Sequence, residues 1–461
     1  MNMKYLIGLD IGTSAVKGAL MDADTRIVST SAAPFTYFQE GTAKLLDPDH
    51  FVDTCKSVIR KLAEKAAADA ERCGKGEKAE IVAICSCCAS GCPLFLDANL
   101  APLTPIIGWQ TSVEWDVLNK VYTKEEQDAF YRIVGWDFFD GMPAANLAWF
   151  KVNRPEILER TRFLCMSAEY LNYRLTGLWG LSHSMGTPSY LMDQEKGIYN
   201  SAMLEKFGLR EEMLPPIYDK GTVLGVVKPE AAQELGLGND TKIVLGTFDH
   251  PSGALGAGVI DEGEMLLSCG TSWVEFFPVD DREFALTTGG LVDRFMLNGA
   301  PYCVMKSLES VSDKINGLRE KLLGRIDFGE NDALIQASEP GAHGLKFDFT
   351  DGDAERAKGF SRADIARAII ESAAVMLRDN LRQLELCGLR ADNLTAIGGI
   401  TNSATCVNVI SEILGRKVKV VNGQAAGAVG SCLLAGIGTG VFPSEREAVN
   451  IMMARLNAPE E

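Results

Sequence analysis

Four stretches of the chain carry the residue types that phosphate chemistry needs. The first runs from Tyr5 to Asp22 as YLIGLDIGTSAVKGALMD. Apolar Tyr5, Leu6, Ile7 and Leu9 lead into Asp10, and Val16, Ala19, Leu20 and Met21 surround and follow Lys17. Gly12, Thr13 and Ser14 lie between, so the stretch predicts a β-hairpin with a Gly-Thr-Ser turn. Such a turn can aim successive backbone N–H groups into one concavity that takes an anion. Thr13 and Ser14 add hydroxyl donors, and Lys17 adds a positive charge. Asp10, at the strand end, offers oxygen to a hydrated Mg2+. An ordinary solvated hairpin fits this stretch equally well. Ser14 to Lys17 also matches S-x-x-K of serine acyl-enzymes, but the companion S-D-N and K-T-G motifs are absent.

The second stretch is a buried-strand run, Ile243 to Leu245, followed by GTFDHP and the small-residue run Ser252 to Val259. Asp249 and His250 sit where that strand should give way to a helix. A lone carboxylate there is more often solvated than catalytic. The third stretch changes its weight. Met265 to Cys269 predicts a strand, Gly270-Thr271-Ser272 a turn, and Trp273 to Phe277 a second strand. This repeats the opening hairpin about half a chain later. It predicts two similar domains, each offering a phosphate-gripping turn to a cleft between them. In the fourth stretch, Leu394 to Ile397 enters Gly398-Gly399, and Ser403 caps a helix to Leu414 that Gly415 ends. The paired glycines let backbone approach a flat ring closely.

The elements that must position these residues alternate strand and helix. Arg26 to Ser31 and Pro34 to Phe38 read as short strands. Phe51 to Arg72 is a helix with apolar residues at helical spacing, and Glu80 to Cys88 is a buried strand. Together they predict an α/β domain with a mixed sheet. Pro105 to Trp109 predicts a strand, and Trp109-Gln110-Thr111 sits where it gives way to a helix, a common place for ligand contacts. Helices are expected at Ser307 to Leu323 and Ser361 to Leu386, with Gly324 to Gly359 mostly loop. Cys85, Cys87, Cys88 and Cys92 lack the paired-knuckle spacing of structural zinc sites, so they read as small packing residues.

The bulk numbers narrow the function classes. At 461 residues the chain exceeds what one core usually supports, so two domains are the default. A net charge of −17, from 45 basic and 62 acidic residues, disfavours nucleic acid or an anionic membrane as partner. It leaves room for an anionic ligand held by local N–H groups and one or two cations. No signal-peptide core or membrane-length apolar run is read at the start or elsewhere. The twelve cysteines are therefore expected as free thiols in the cytoplasm.

Taken in order, the four stretches resemble the FGGY carbohydrate kinases of the actin/Hsp70/sugar-kinase superfamily. DIGTSAVK at Asp10 to Lys17 is similar to the family's first phosphate motif, and FDHPSGALGAG at Phe248 to Gly258 to its catalytic-aspartate segment. SCGTS at Ser268 to Ser272 is similar to the second phosphate motif. IGGITNSATCVNVISEILG at Ile397 to Gly415 is similar to the adenosine motif. The resemblance implies two ribonuclease-H-like domains, 1–258 and 259–461, with ATP and Mg2+ between them. It implies transfer of the γ-phosphoryl group to a hydroxyl of a small sugar or polyol. Asp249 would be the general base, with Asp10 and Asp249 near the metal. Gly12, Thr13, Ser14, Lys17, Gly270, Thr271 and Ser272 would contact phosphates, and Gly398, Gly399, Ser403 and Asn408 would lie near adenosine. Ala89, Ser90, Trp109, Gln110 and His250 would face the sugar, and a homodimer is left open. Members acting on xylulose carry Gln-Met-His-Gly and Trp-Asn-Asp-Gly-Arg where this chain has Ala89-Ser90-Gly91-Cys92 and Trp109-Gln110-Thr111-Ser112-Val113. Ketopentoses, deoxyketohexoses, polyols and sugar acids all stay open. Two other classes compete: an ATPase with water in line with the phosphate, and a non-catalytic sugar sensor.

Overall fold

The computed structural model describes residues 2–73, 78–89, 91–270 and 272–458. Two six-stranded mixed sheets form the frame. The first holds β1 (Asn2–Ile11), β2 (Ala15–Asp22), β3 (Ile27–Pro34), β4 (Lys78–Cys88), β5 (Val223–Val226) and β6 (Lys242–Phe248), in the order β5-β6-β4-β1-β2-β3. The second holds β7 (Glu264–Cys269), β8 (Trp273–Val279), β9 (Leu291–Arg294), β10 (Tyr302–Leu308), β11 (Asn393–Gly398) and β12 (Val418–Val420), in the order β9-β10-β8-β7-β11-β12.

The internal repeat is visible in the pairing. β1 pairs antiparallel with β2 and parallel with β4, which in turn lies parallel to β6. β7 pairs antiparallel with β8 and parallel with β11, which lies parallel to β12. Each sheet thus starts from a hairpin whose first strand also borders a parallel partner reached by a helical crossover. In the first half that crossover is α1 (Pro48–Cys73), and in the second it includes α2 (Arg362–Leu386), capped by Ser361. Along β7, Met265 and Leu267 face one core and Leu266 the other, the period of two that a sheet buried on both faces requires.

Two further helices join the sheets. α3 (Asp249–Ala257) leaves β6, and α4 (Ala426–Gly438) leaves the second sheet's last strand to lie across β1. They pack on each other with almost no side chain between. A Cβ at Gly430 would fall on the carbonyl oxygen of Ser252, and one at Gly256 on that of Ala426. Ser252 Oγ donates to Gly427 O at 2.8 Å, and Ser431 Oγ to Leu9 O at 3.1 Å. The run of small residues read in the sequence is this contact.

Three expectations need correction. The strand placed over Pro34 to Phe38 does not form. β3 ends at Pro34, and Phe35 instead bonds back to Ser14 O at 2.9 Å and stacks on Phe51. The helix expected from Ser307 begins at Val311, because Ser307 and Leu308 pair with Val274 and Trp273 as the end of β10. Gly324 to Gly359 is less irregular than expected. Asp327 caps a helix over Phe328–Gln336, accepting from Glu330 N at 2.8 Å, and a single turn forms at Asp353–Arg356.

Substituting Gly430→Ala must separate α3 from α4 or bend one of them. Forced overpacking of this kind costs about 1–3 kcal/mol. A urea midpoint equal to wild type would contradict the direct backbone contact.

Candidate active site

Asp10 lies at the carboxyl end of β1, directly opposite Lys17 in the hairpin register. The turn between them is closed by Gly12 N donating to Ala15 O at 3.1 Å. Ser14 and Lys17 are exposed at this tip, with Gly12 and Thr13 half-buried. Thr13 Oγ1 accepts the indole N–H of Trp109 at 3.0 Å. That bond uses an acceptor position of the hydroxyl and leaves its proton free to donate to a phosphate oxygen.

Asp10 is set low in the cleft. Burial is the main force on its carboxyl and pushes it up to about 6. Lys17 and His250 oppose the rise, Asp249 adds to it, and the Cys87 thiol, 3.8 Å away, helps hold the charged form. These groups share one electrostatic neighbourhood. A Cβ at Gly427 of α4 would come within 2.8 Å of Asp10 Oδ2, so glycine there lets the carboxylate pack directly against the α4 backbone.

Asp249 is the first residue of α3. Its Oδ1 accepts the backbone N–H of His250 at 2.8 Å, and the His250 ring lies 3.9 Å from the same oxygen. Phe248 stacks edge-on with both Trp136 and His250. Asp10 and Asp249 thus stand at the carboxyl ends of β1 and β6, where an open α/β sheet places its ligands.

Beside the Gly12-Thr13 turn is a cavity of about 290 Å³ including its mouth, lined by Phe35, Tyr37, Phe51, Cys88, Ala89 and Trp109 among others. Its walls are mostly apolar. Ala89 N donates to Ile11 O at 2.9 Å, which continues the β1–β4 pairing into the site. Gln110, expected to face the sugar, is held by Lys44: its Oε1 accepts Lys44 Nζ at 2.7 Å. Thr111 Oγ1 is likewise tied to the Lys44 backbone at 3.0 Å. Ser90 and Thr271 lie outside the described residues.

The second hairpin places exposed Gly270 and half-buried Ser272 at its tip. Gly270 O accepts Ser312 Oγ at 2.6 Å, and Ser272 Oγ accepts Ser310 N at 3.1 Å. Gly398 ends β11 in register with Cys269, and exposed Gly399 follows. Ser403 is buried and spent on structure: its Oγ accepts Cys406 N at 2.9 Å and donates to Asp332 Oδ1 at 2.6 Å. Asn408 lies exposed on the helix that Ser403 caps, Ala404–Leu414.

Family profiles match both halves of the chain. The profile of the FGGY family of carbohydrate kinases, N-terminal domain, matches residues 5–256, and that of its C-terminal domain matches residues 340–439. This chain belongs to the FGGY family. It is therefore a carbohydrate kinase, a sugar phosphotransferase. It is 24% identical to a xylulose kinase of Staphylococcus epidermidis, over 97% of this chain and 90% of that one. It is 23% identical to an autoinducer-2 kinase of Salmonella paratyphi A, over 96% and 88%. The glycerol kinase of Plasmodium falciparum with ADP shares the fold with a TM-score of 0.84, at 19% identity over 98% and 92% of the two chains. Among the described residues, no helix is long and apolar enough to cross a membrane.

The burial of Asp10 sets a testable sign. Its folded value of about 6 lies above the ordinary carboxylate value, so between about 4 and 6 the folded state holds more protons than the unfolded one. Stability contributed by this group is fully present at low pH and is lost as pH rises through 6. Asp10→Asn in this FGGY kinase removes the buried charge. It should raise stability at pH 8 by up to about 3 kcal/mol, an advantage that fades toward pH 4. Thermal melts of both proteins across that range check it; an advantage that grows on acidification would contradict the assignment.

Proposed function

We propose that the protein transfers the γ-phosphoryl group of ATP to a hydroxyl of a small carbohydrate, with Asp249 as general base. The observation that carries this reading is the convergence of Asp10, Lys17, Asp249 and His250 beside the Gly12-Thr13 turn and the adjoining cavity. Lys17, Thr13 and the turn N–H groups would grip the phosphate tail from one lobe. Gly270, Ser272 and Thr271 would do so from the other, and Gly398 and Gly399 would lie along the adenosine. Asp249 would take the proton as the sugar oxygen attacks. Its place at the start of α3 leaves the carboxylate in the field of the helix N-terminus.

The donor set suits Mg2+. The carboxylates of Asp10 and Asp249, in one electrostatic neighbourhood, are oxygen donors of the kind a hard cation takes while it keeps several waters and draws the rest of its shell from phosphate. When bound, the ion would neutralise charge on the phosphate oxygens. The division of the chain at residues 258 and 259 belongs to the same proposal, as does a cytoplasmic place consistent with twelve free cysteines.

The cavity favours a substrate with a methyl or bulkier apolar group. Ala89 and the aromatic ring edges offer few hydrogen-bond partners, and Gln110 is already committed to Lys44. A mispaired buried hydroxyl costs roughly 1–3 kcal/mol, so D-xylulose and glycerol should be poor substrates.

ATP consumption measured across ketoses, deoxyketoses, polyols and sugar acids tests the reading. Asp249→Asn should bind ATP normally yet lose about 10²- to 10⁴-fold in turnover. Near-normal turnover of that variant would remove Asp249 as the base, and consumption independent of any sugar would favour an ATPase instead. Ala89→Gln should impair the best sugar more than it impairs ATP binding.

A further inference from the structure

Behind the active site a chain of hydrogen bonds runs from the second sheet to Asp249. It begins at Asp293 on β9, a carboxylate with no exposed surface. Asp293 Oδ2 accepts Ser184 Oγ at 2.8 Å. Oδ1 accepts Thr187 Oγ1 and Arg294 N, each at 2.8 Å. The same Ser184 Oγ accepts the backbone N–H of Phe248 at 3.1 Å, and Phe248 directly precedes Asp249.

The place of this bond matters. β6 runs in register with β4 to Leu245, slips, and rejoins at Phe248 opposite Cys88. Phe248 N–H thus gives its bond to a side chain at the point where strand becomes helix. Ser184 has one hydroxyl proton and spends it on Asp293. That bond to a carboxylate is stronger than one to a neutral acceptor, and it polarises the serine oxygen as an acceptor for Phe248. The serine is thereby held in one rotamer.

Asp293 is itself fixed to both halves of the molecule. β9 is the edge strand of the second sheet, and its neighbouring Val292 N donates to Gly135 O at 2.8 Å. Val292 O accepts Gln194 Nε2 at 2.6 Å. Gly135, Ser184, Thr187 and Gln194 all come from the chain that precedes β6. A carboxylate left buried without this set of donors would be costly. An apolar residue would fill the space but take away the acceptor of the Ser184 hydroxyl proton.

We propose that Asp293 is a positioning residue for phosphoryl transfer. Through Ser184 it pins the Phe248 amide, and so fixes where Asp249 stands relative to the attacking hydroxyl. The inference rests on Asp249 as base, but Asp293 touches neither substrate nor Asp249. A displacement of about 1 Å at a reacting group can cost about 10²-fold in rate.

The test uses the full-length protein with Asp293→Asn, Ser184→Ala and the double variant. Two readouts are followed: steady-state kinetics, and hydrogen–deuterium exchange of the peptide spanning Phe248. Each single variant should lose roughly 10- to 100-fold in kcat, with KM for ATP little changed. The Phe248 amide should exchange at least about tenfold faster. The double variant should lose no more than the worse single one, since residues acting through one chain of bonds are not additive. Unchanged kcat, unchanged Phe248 exchange, or additive losses would overturn the proposal. If Asp293→Asn fails to fold, Ser184→Ala decides, because it leaves Asp293 bonded to Thr187 and Arg294. Failure of the underlying reading looks different: wild type would form no ADP in response to any sugar. Exchange at Phe248 would then decide whether the pin exists. An active wild type, an inactive Asp249→Asn and an unaltered Asp293→Asn would remove this inference alone.

Discussion

The close crossing of α3 and α4 is the constraint on which the rest depends. Two helices can touch backbone to backbone only where both present glycine or a small side chain, and here Gly256 and Gly430 supply those positions. The crossing fixes two things together. It sets the distance between the sheets, because α4 also lies across β1. It also brings the start of α3, with Asp249, beside the end of β1, with Asp10. Ser252 adds hydrogen bonds across the seam, to Gly427 O and the Ser431 hydroxyl, that replace the packing larger side chains would provide. Any residue that widened the seam would move both carboxylates apart.

A second theme is how a strongly acidic chain accommodates an anion. The negative charge is largely solvated or paired at the surface, while the cleft concentrates a few cationic and N–H groups. Asp10 sits among them with its charge disfavoured by burial. A perturbed carboxyl of this kind is a common feature of functional sites. The buried pair of Lys220 and Glu445, 2.5 Å apart, ties the loop before β5 to the C-terminal helix. Leu297 N also donates to Glu445 at 2.7 Å.

What could be read from the sequence followed physical rules of short range. The hairpins were legible because apolar period two and a Gly-Thr-Ser turn are local signals, and their recurrence exposed the repeat. The place of Asp249 was legible because it follows a buried strand and precedes a run of small residues. The Ser184 and Asp293 link was not, since its partners lie 64 and 109 residues from Ser184 and no periodicity marks them. Gln110 and Ser403 show a related limit. Each has the right chemistry for a ligand contact, but Lys44 and Asp332, brought near only by the fold, take up that capacity. β10 absorbed Ser307 and Leu308 for the same reason: pairing with β8 outweighed a local helical pattern.

Ten of the twelve cysteines are buried; only Cys73 and Cys387 are exposed. Burial pushes the thiols of Cys87, Cys88, Cys165, Cys269 and Cys303 well above their usual range, which suppresses the thiolate that reacts. The two exposed thiols close helices in different halves: Cys73 ends α1 beside the first sheet, and Cys387 follows α2 beside the second. The native chain therefore carries one accessible attachment point on each lobe. A donor and acceptor dye coupled there would form a molecular ruler between the two halves, and would report whether their separation changes when nucleotide is added, without altering a single residue.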